Sequence, residues 1–303
     1  MRVVLLGKGE MLANLILGVE EAKSEIVGVF RGENLNMGRV RLWFHDNFSN
    51  APEVQLIKAK NLFDIHLKSA NSDEFKTLLL KLNPDIIIVG TWGEKLKKEI
   101  FSLPKFGTVN VHPSILPKYR GPNPYLQVIW HREQFSGATF HFMDENFDSG
   151  AILMQEIFPV QEGDTGLELR RKVCRRVREG ISVLLPHIEN GTVIPRKQNE
   201  NEATYFPEVS QESMTLDFSK ETAVEILAHV RAFHPFRPTY IQDGNFFWIV
   251  NPYNVSVLDE IVPPSKIITR DIFRRTLKIS AKDGKILIFK KLKPYTWLSK
   301  FRR

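Results

Sequence analysis

Short apolar runs and amphipathic stretches alternate along the first 110 residues. Arg2-Val-Val-Leu-Leu6 is a nearly continuous apolar run closed by Gly7-Lys-Gly9, and Met11-Leu-Ala-Asn-Leu-Ile-Leu-Gly18 then takes up a helical spacing. That reads as strand, tight turn and helix. Residues 26–30, 85–90 and 108–111 repeat the strand signal, and residues 73–82 read as a helix between them. Continuous β-branched runs separated by helices predict a mostly parallel sheet covered on both faces, a doubly wound α/β domain of Rossmann-like type. A longer helix is expected around residues 167–177, after Asp164-Thr-Gly as its N-cap.

The pattern changes near residue 190. Residues 190–207 break into Gly, Pro, Asn and Glu, which suits a linker or a crossing loop. Residues 217–232 read as a helix with Ser219 as its cap, ended by His234-Pro-Phe-Arg-Pro238. Short alternating runs follow at 246–250, 276–280 and 285–289, split by Asp243-Gly-Asn and Lys282-Asp-Gly turns. They predict a small antiparallel β-barrel, OB-like in size. The expected division is an α/β domain over 1–205 and a β-barrel domain over 206–303.

With 303 residues, 43% apolar and 25% charged, the chain has the composition of an ordinary globular protein large enough for two cores. The N-terminal apolar run is too short for a signal peptide or a membrane span, so a cytoplasmic protein with no membrane contact is expected. Cys174 is the single cysteine and reads as a core residue; no Cys, His and carboxylate cluster has metal-ligand spacing, so no metal is predicted. Charge is unevenly spread. Residues 265–303 hold 13 Lys and Arg against two Asp, a net of +11 in a chain that is +7 overall, which leaves −4 for residues 1–264. A basic lobe of that kind creates a positive field suited to a polyanion such as RNA.

The chemistry concentrates in one stretch. Gly107-Thr-Val-Asn-Val-His112 alternates, so Asn110 and His112 share one face of a strand. Pro113-Ser-Ile-Leu-Pro117 and Lys-Tyr-Arg-Gly121 follow, and Asp148-Ser-Gly150 stands 36 positions after the histidine. An amide, an imidazole and a carboxylate are what is needed to move a carbonyl carbon between nitrogens: a donor to hold the charged oxygen, a base, and an anion to orient the base. Gly7-x-Gly9 is a poor dinucleotide fingerprint, because Leu12 replaces the third glycine and Glu10 would repel a phosphate at the helix N-terminus.

The Asn-x-His strand, the Ser-x-Leu-Pro-x-x-Arg-Gly loop and the later Asp-x-Gly resemble the 10-formyltetrahydrofolate-dependent formyltransferases over most of residues 1–205. The resemblance implies 10-formyltetrahydrofolate as formyl donor and no metal. It implies that Asn110 holds the formyl oxygen, that His112 takes the amine proton and returns it to the folate nitrogen, and that Asp148 binds His112. It further implies that Ser114, Ile115, Leu116 and Pro117 line the transfer site, that Trp92 and Asp144 stand in the walls around the pterin, and that Arg120 is structural. Residues 199–206 resemble the linker of the tRNA-formylating members, so the methionyl amine of initiator tRNA, bound through the basic C-terminal domain, is the expected acceptor. The alternative is a nucleotide-linked amino sugar. In its favour, residues 31–50 are only mildly basic where the tRNA-formylating members carry a basic, Gly-rich loop, and Trp43-Phe44 and Phe247-Trp248 could stack on a base.

Overall fold

The computed structural model describes residues 1–32, 37–210 and 212–295, except for the side chain of Arg39. Glu33 of the 31–50 segment, and Lys300, Arg302 and Arg303 of the basic tail, lie outside the described residues. The chain forms two compact units. One comprises Met1–Gly121, Ser136–Phe158 and Arg171–Tyr205, and the other comprises Pro122–Phe135, Pro159–Arg170 and Phe206–Arg303.

The elements run β1 (Arg2–Gly7), α1 (Gly9–Glu21), β2 (Glu25–Arg31), α2 (Arg39–Phe48), α3 (Pro52–Ala59), β3 (Asp64–Ile65), α4 (Asp73–Leu82), β4 (Ile86–Gly90), α5 (Lys98–Phe101) and β5 (Thr108–His112). They continue through α6 (Pro124–Trp130), β6 (Phe135–Phe142), β7 (Ile152–Pro159), α7 (Gly166–Glu189) and α8 (Ala223–Phe233). The last strands are β8 (Thr239–Asp243), β9 (Phe246–Val250), β10 (Val255–Ile261), β11 (Ile267–Asp271), β12 (Thr276–Ser280), β13 (Lys285–Phe289) and β14 (Lys293–Pro294).

In the first unit seven strands form one sheet in the order β3-β2-β1-β4-β5-β6-β7. The pairs from β3 to β5 are parallel, and β6 runs antiparallel to β5. This is the mostly parallel, Rossmann-like sheet that the apolar runs predict. Every residue of β4 is buried, as a strand covered on both faces must be. Helix α4 begins where Ser72 accepts a hydrogen bond from the Phe75 N–H and ends at Asn83 in the left-handed conformation, and it spans the residues 73–82 read as a helix from the sequence. The parallel strands β1, β2, β4 and β5 end at one edge of the sheet, and His112 closes β5 there.

In the second unit α6 packs on α8 through Trp130, whose ring lies 4.6 Å from His229 and 5.1 Å from Phe233. Helix α8 starts later than the sequence reading places it. Its cap is Thr222, in a reciprocal capping box with Glu225, while Ser219 instead donates its hydroxyl hydrogen to Asp217. The C-terminal strands are antiparallel and fall into a four-stranded sheet, β10-β13-β12-β11, and a three-stranded sheet, β14-β9-β8. Among the described residues their pairing does not close into one barrel. Leu216, Ile226, Ile241, Leu277, Leu287 and Phe289 form the core here, and Trp248 packs partly buried against it. Lys266, Arg274, Arg275, Lys282, Lys290, Lys291 and Lys293 are exposed. No described helix is long and apolar enough to cross a membrane.

Candidate active site

The ends of β5 and β6 build the polar centre of the first unit. Across the antiparallel pairing Asn110 faces His141 and His112 faces Thr139, which puts Asn110 and His112 on one face of the sheet. Asp148 approaches from the loop after β6. Its Oδ1 lies 3.4 Å from His112 Nδ1, 3.4 Å from Asn110 Nδ2 and 3.9 Å from His141 Nε2. Its Oδ2 accepts a 3.0 Å hydrogen bond from the Gly121 N–H. The three residues singled out from the sequence are therefore brought together.

Each group has a fixed role as donor or acceptor. The Tyr119 carbonyl, 2.8 Å from His112 Nε2, can only accept, so Nε2 carries a hydrogen and Nδ1 faces the carboxylate. His141 Nδ1 likewise donates to the Phe142 carbonyl at 2.9 Å, which leaves its Nε2 lone pair to accept from Asn110 Nδ2 at 3.1 Å. Burial, reinforced by the nearby His112, pushes the His141 pKa down to about 4, so this ring is neutral at pH 7. Burial alone would raise the Asp148 pKa. The nearby His112 and the Gly121 N–H outweigh it and hold Asp148 at about 2, a carboxylate at neutral pH.

The loop that carries Asp148 is tightly specified. Asp148 has φ of +55°, in the left-handed region. Asp144 accepts from the Asn146 N–H at 2.9 Å and from the Ser149 hydroxyl at 2.8 Å, so its carboxylate ties the loop together. Gly150 is dictated by space, since a Cβ there would sit 1.8 Å from the Phe142 carbonyl oxygen. After β5, Ser114 is buried and donates to the Lys118 carbonyl at 2.8 Å, and the Leu116 N–H donates to Thr139 Oγ1 at 3.1 Å. Ile115 and Pro117 are half-buried and Leu116 is buried. Tyr119, also left-handed at φ of +61°, donates its N–H to Thr204 Oγ1 at 2.8 Å. Arg120 pairs with Glu200 and Gln198.

Trp92 packs edge-on against Phe30, with ring centroids 5.1 Å apart, at the rim of the core. Its Nε1 is buried without a hydrogen-bond partner. Two residues escaped the sequence reading. His141 sits in a strand that Ser136, Gly137 and Thr139 dilute below the apolar signal, and Gln198 reaches the Asp148 loop from 50 residues away. Among the described residues no group of three or more His, Cys, Asp and Glu could hold a metal ion.

Farther along the same sheet edge, α2 follows β2. Arg31 is fully buried and bonded to Asp46 of α2 at 2.7 Å and to Asp64 of β3 at 2.6 Å. Burial opposes its charge, but the two carboxylates more than compensate and raise its pKa. The opposite face of α2 is apolar and open: Trp43 is 56% exposed, Phe44 55% and Phe48 71%, and their rings touch one another at 5.0–5.9 Å.

The formyl transferase family model matches residues 1–184. The methionyl-tRNA formyltransferase of Clostridioides difficile (strain 630) is 31% identical over 296 residues, covering 95% of this chain and 91% of the relative. That of Thermotoga neapolitana is 32% identical over 220 residues, covering 73% and 69%. Among solved structures, an N-formyltransferase from Helicobacter canadensis in complex with folinic acid and dTDP-3-aminofucose superposes with a TM-score of 0.67 at 20% identity, covering 97% of this chain and 99% of that one. HypX from Aquifex aeolicus in complex with tetrahydrofolic acid gives 0.66 at 18% identity; 98% of this chain is covered, but only 44% of HypX. At such identities the structural likeness is one of fold.

Proposed function

The chain belongs to the formyl transferase family and is a folate-dependent formyltransferase; from that premise we propose that Asn110, His112 and Asp148 transfer the formyl group of 10-formyltetrahydrofolate to the methionyl amine of initiator tRNA. The observation that carries the reading is the meeting of an amide, an imidazole and an ionised carboxylate at the carboxyl edge of the sheet. The orphaned Trp92 Nε1 beside that edge suits a pterin, which offers ring acceptors. Trp92 and Asp144, with Ser114, Ile115, Leu116 and Pro117, would border the donor.

Bound folate supplies the activated formyl carbon, and the remaining work falls to side chains. The 3.4 Å contact between Asn110 Nδ2 and Asp148 is long, so this amide hydrogen is the one free to turn to the formyl oxygen and stabilise the charge that develops there. Its other hydrogen stays on His141. His112 Nε2 is committed to Tyr119, so Nδ1 takes the proton that the attacking amine loses and passes it to the departing folate nitrogen. Asp148 steadies the imidazolium between those two events.

The tRNA acceptor is favoured by the match to methionyl-tRNA formyltransferases over nearly the whole chain and by the exposed cations after residue 265. A nucleotide-linked amino sugar is the second reading, favoured by the open aromatic face of α2, where bases could stack. The deciding experiment incubates the protein and 10-formyltetrahydrofolate with charged initiator tRNA or with a panel of nucleotide-linked amino sugars, and follows release of tetrahydrofolate. Release stimulated by tRNA alone supports the first reading. Release stimulated only by a sugar would replace it with the second.

A further inference from the structure

Gln198 lies in the segment that leads out of α7, is 5% exposed, and belongs to no part of the mechanism above. Its Nε2 donates one hydrogen to the Asp148 carbonyl and the other to the Gly150 carbonyl, both at 2.8 Å. Its Oε1 accepts from Arg120 Nη2 at 2.8 Å, and Arg120 is held in turn by both oxygens of Glu200, also at 2.8 Å. Both hydrogens of the amide are therefore spent on the two carbonyls that flank Ser149.

We propose that Gln198 is a positioning residue that clamps the backbone of residues 148–150 and so aims the Asp148 carboxylate at His112. The inference rests on the catalytic reading of Asp148. Three observations converge on it. Asp148 holds a left-handed backbone, φ of +55°, which an L-residue leaves readily unless its surroundings fix it. The carboxylate itself is only lightly tethered: one normal hydrogen bond from Gly121, and contacts of 3.4 Å or more to His112, Asn110 and His141. Side-chain aim must then come from the backbone, and the Gln198 amide grips the backbone carbonyls of Asp148 and Gly150 themselves. An amide suits the task because it brings two donors without adding a charge beside an ionised carboxylate, whereas a glutamate would set acceptors against two carbonyls.

The test compares turnover of the wild type, Gln198→Met, Asp148→Asn and the double variant, each in the full chain, with 10-formyltetrahydrofolate and the acceptor that supports turnover. Gln198→Met keeps the bulk and loses the donors. It is expected to lower kcat about 30-fold, within the range of a misplaced catalytic group, with KM for the folate changed less than about threefold. In the Asp148→Asn background the same substitution is expected to cost almost nothing, because its effect passes through the carboxylate. Gln198→Glu, which retains the link to Arg120, serves as a second variant should the methionine disturb folding, and is expected to be equally slow. Equal losses in both backgrounds, or full turnover in a folded Gln198 variant beside a slow Asp148→Asn, would overturn the inference alone. Full turnover in Asp148→Asn would overturn the catalytic reading and this inference with it.

Discussion

Acid should loosen the first unit through one buried imidazole. His141 takes up a proton near pH 6.5 in the unfolded chain but only near pH 4 in the fold, where burial and His112 disfavour its charge. The unfolded state thus binds more protons across that window. Stability is complete above pH 6.5 and falls as the pH drops toward 4, at ~1.36 kcal/mol per pH unit once the window is entered. Between pH 8 and pH 4.5 the loss integrates to roughly 2–3 kcal/mol. The perturbation that isolates it is His141→Gln, which removes the titration and keeps a polar side chain opposite Asn110. Urea unfolding of both proteins across this range is the assay. The wild type should lose roughly 2–3 kcal/mol more than the variant, because the variant lacks the imidazole that titrates across this window. Parallel losses would refute the reasoning, because they would mean that His141 is protonated with equal ease folded and unfolded. Turnover carries the same signature: a protonated His141 has no lone pair for Asn110, so kcat should fall on the acid side even where the fold survives.

His112→Ala is expected to reduce transfer by roughly 10²–10⁴-fold, with an unchanged circular dichroism spectrum; normal turnover would remove His112 from the mechanism. Asn110→Ala should cost about 10²–10³-fold in kcat with little change in KM, which steady-state kinetics will separate. Replacing Lys290, Lys291 and Lys293 by Ala should weaken tRNA binding and flatten the logarithmic salt dependence by about 2–3, read by filter binding over a range of salt; an unchanged slope would place the RNA elsewhere. Thr222→Ala removes the cap of α8 and should cost about 1 kcal/mol of stability, measurable by denaturation, whereas Ser219→Ala should cost less.

Local signals carried most of the fold. Helix α4 was legible to the residue because an amphipathic run spans it, and β9, β12 and β13 because their alternation is bounded by Asp-Gly and Gly-Asn turns. The start of α8 was misread because Asp217-Phe-Ser219 is itself a good turn; the Thr222-x-x-Glu225 box, three residues later, was the better signal. Candidate site residues were legible where they share a strand, as Asn110 and His112 do. His141 required knowing which strand pairs with β5, and Gln198 required the path of the chain after α7, neither of which periodicity encodes. Trp43 and Phe44 stood out in the sequence, but that they and Phe48 form one bare face of α2 did not, because which side of a helix stays bare depends on where Arg31 anchors it.

The chain passes between its two compact units five times before it ends. Helix α6 and the stretch 159–170, far upstream of α8, belong with the C-terminal strands. Module exchange between relatives is therefore not a single splice. A chimera joined at residue 206 would pair an inherited Trp130 with a foreign partner for its ring, and would separate Glu168 from Tyr253, whose hydroxyl donates to it at 3.1 Å. Exchanging the second unit between family members calls for transplanting three segments together, and a lineage that drifts in one of them constrains what the other two can become.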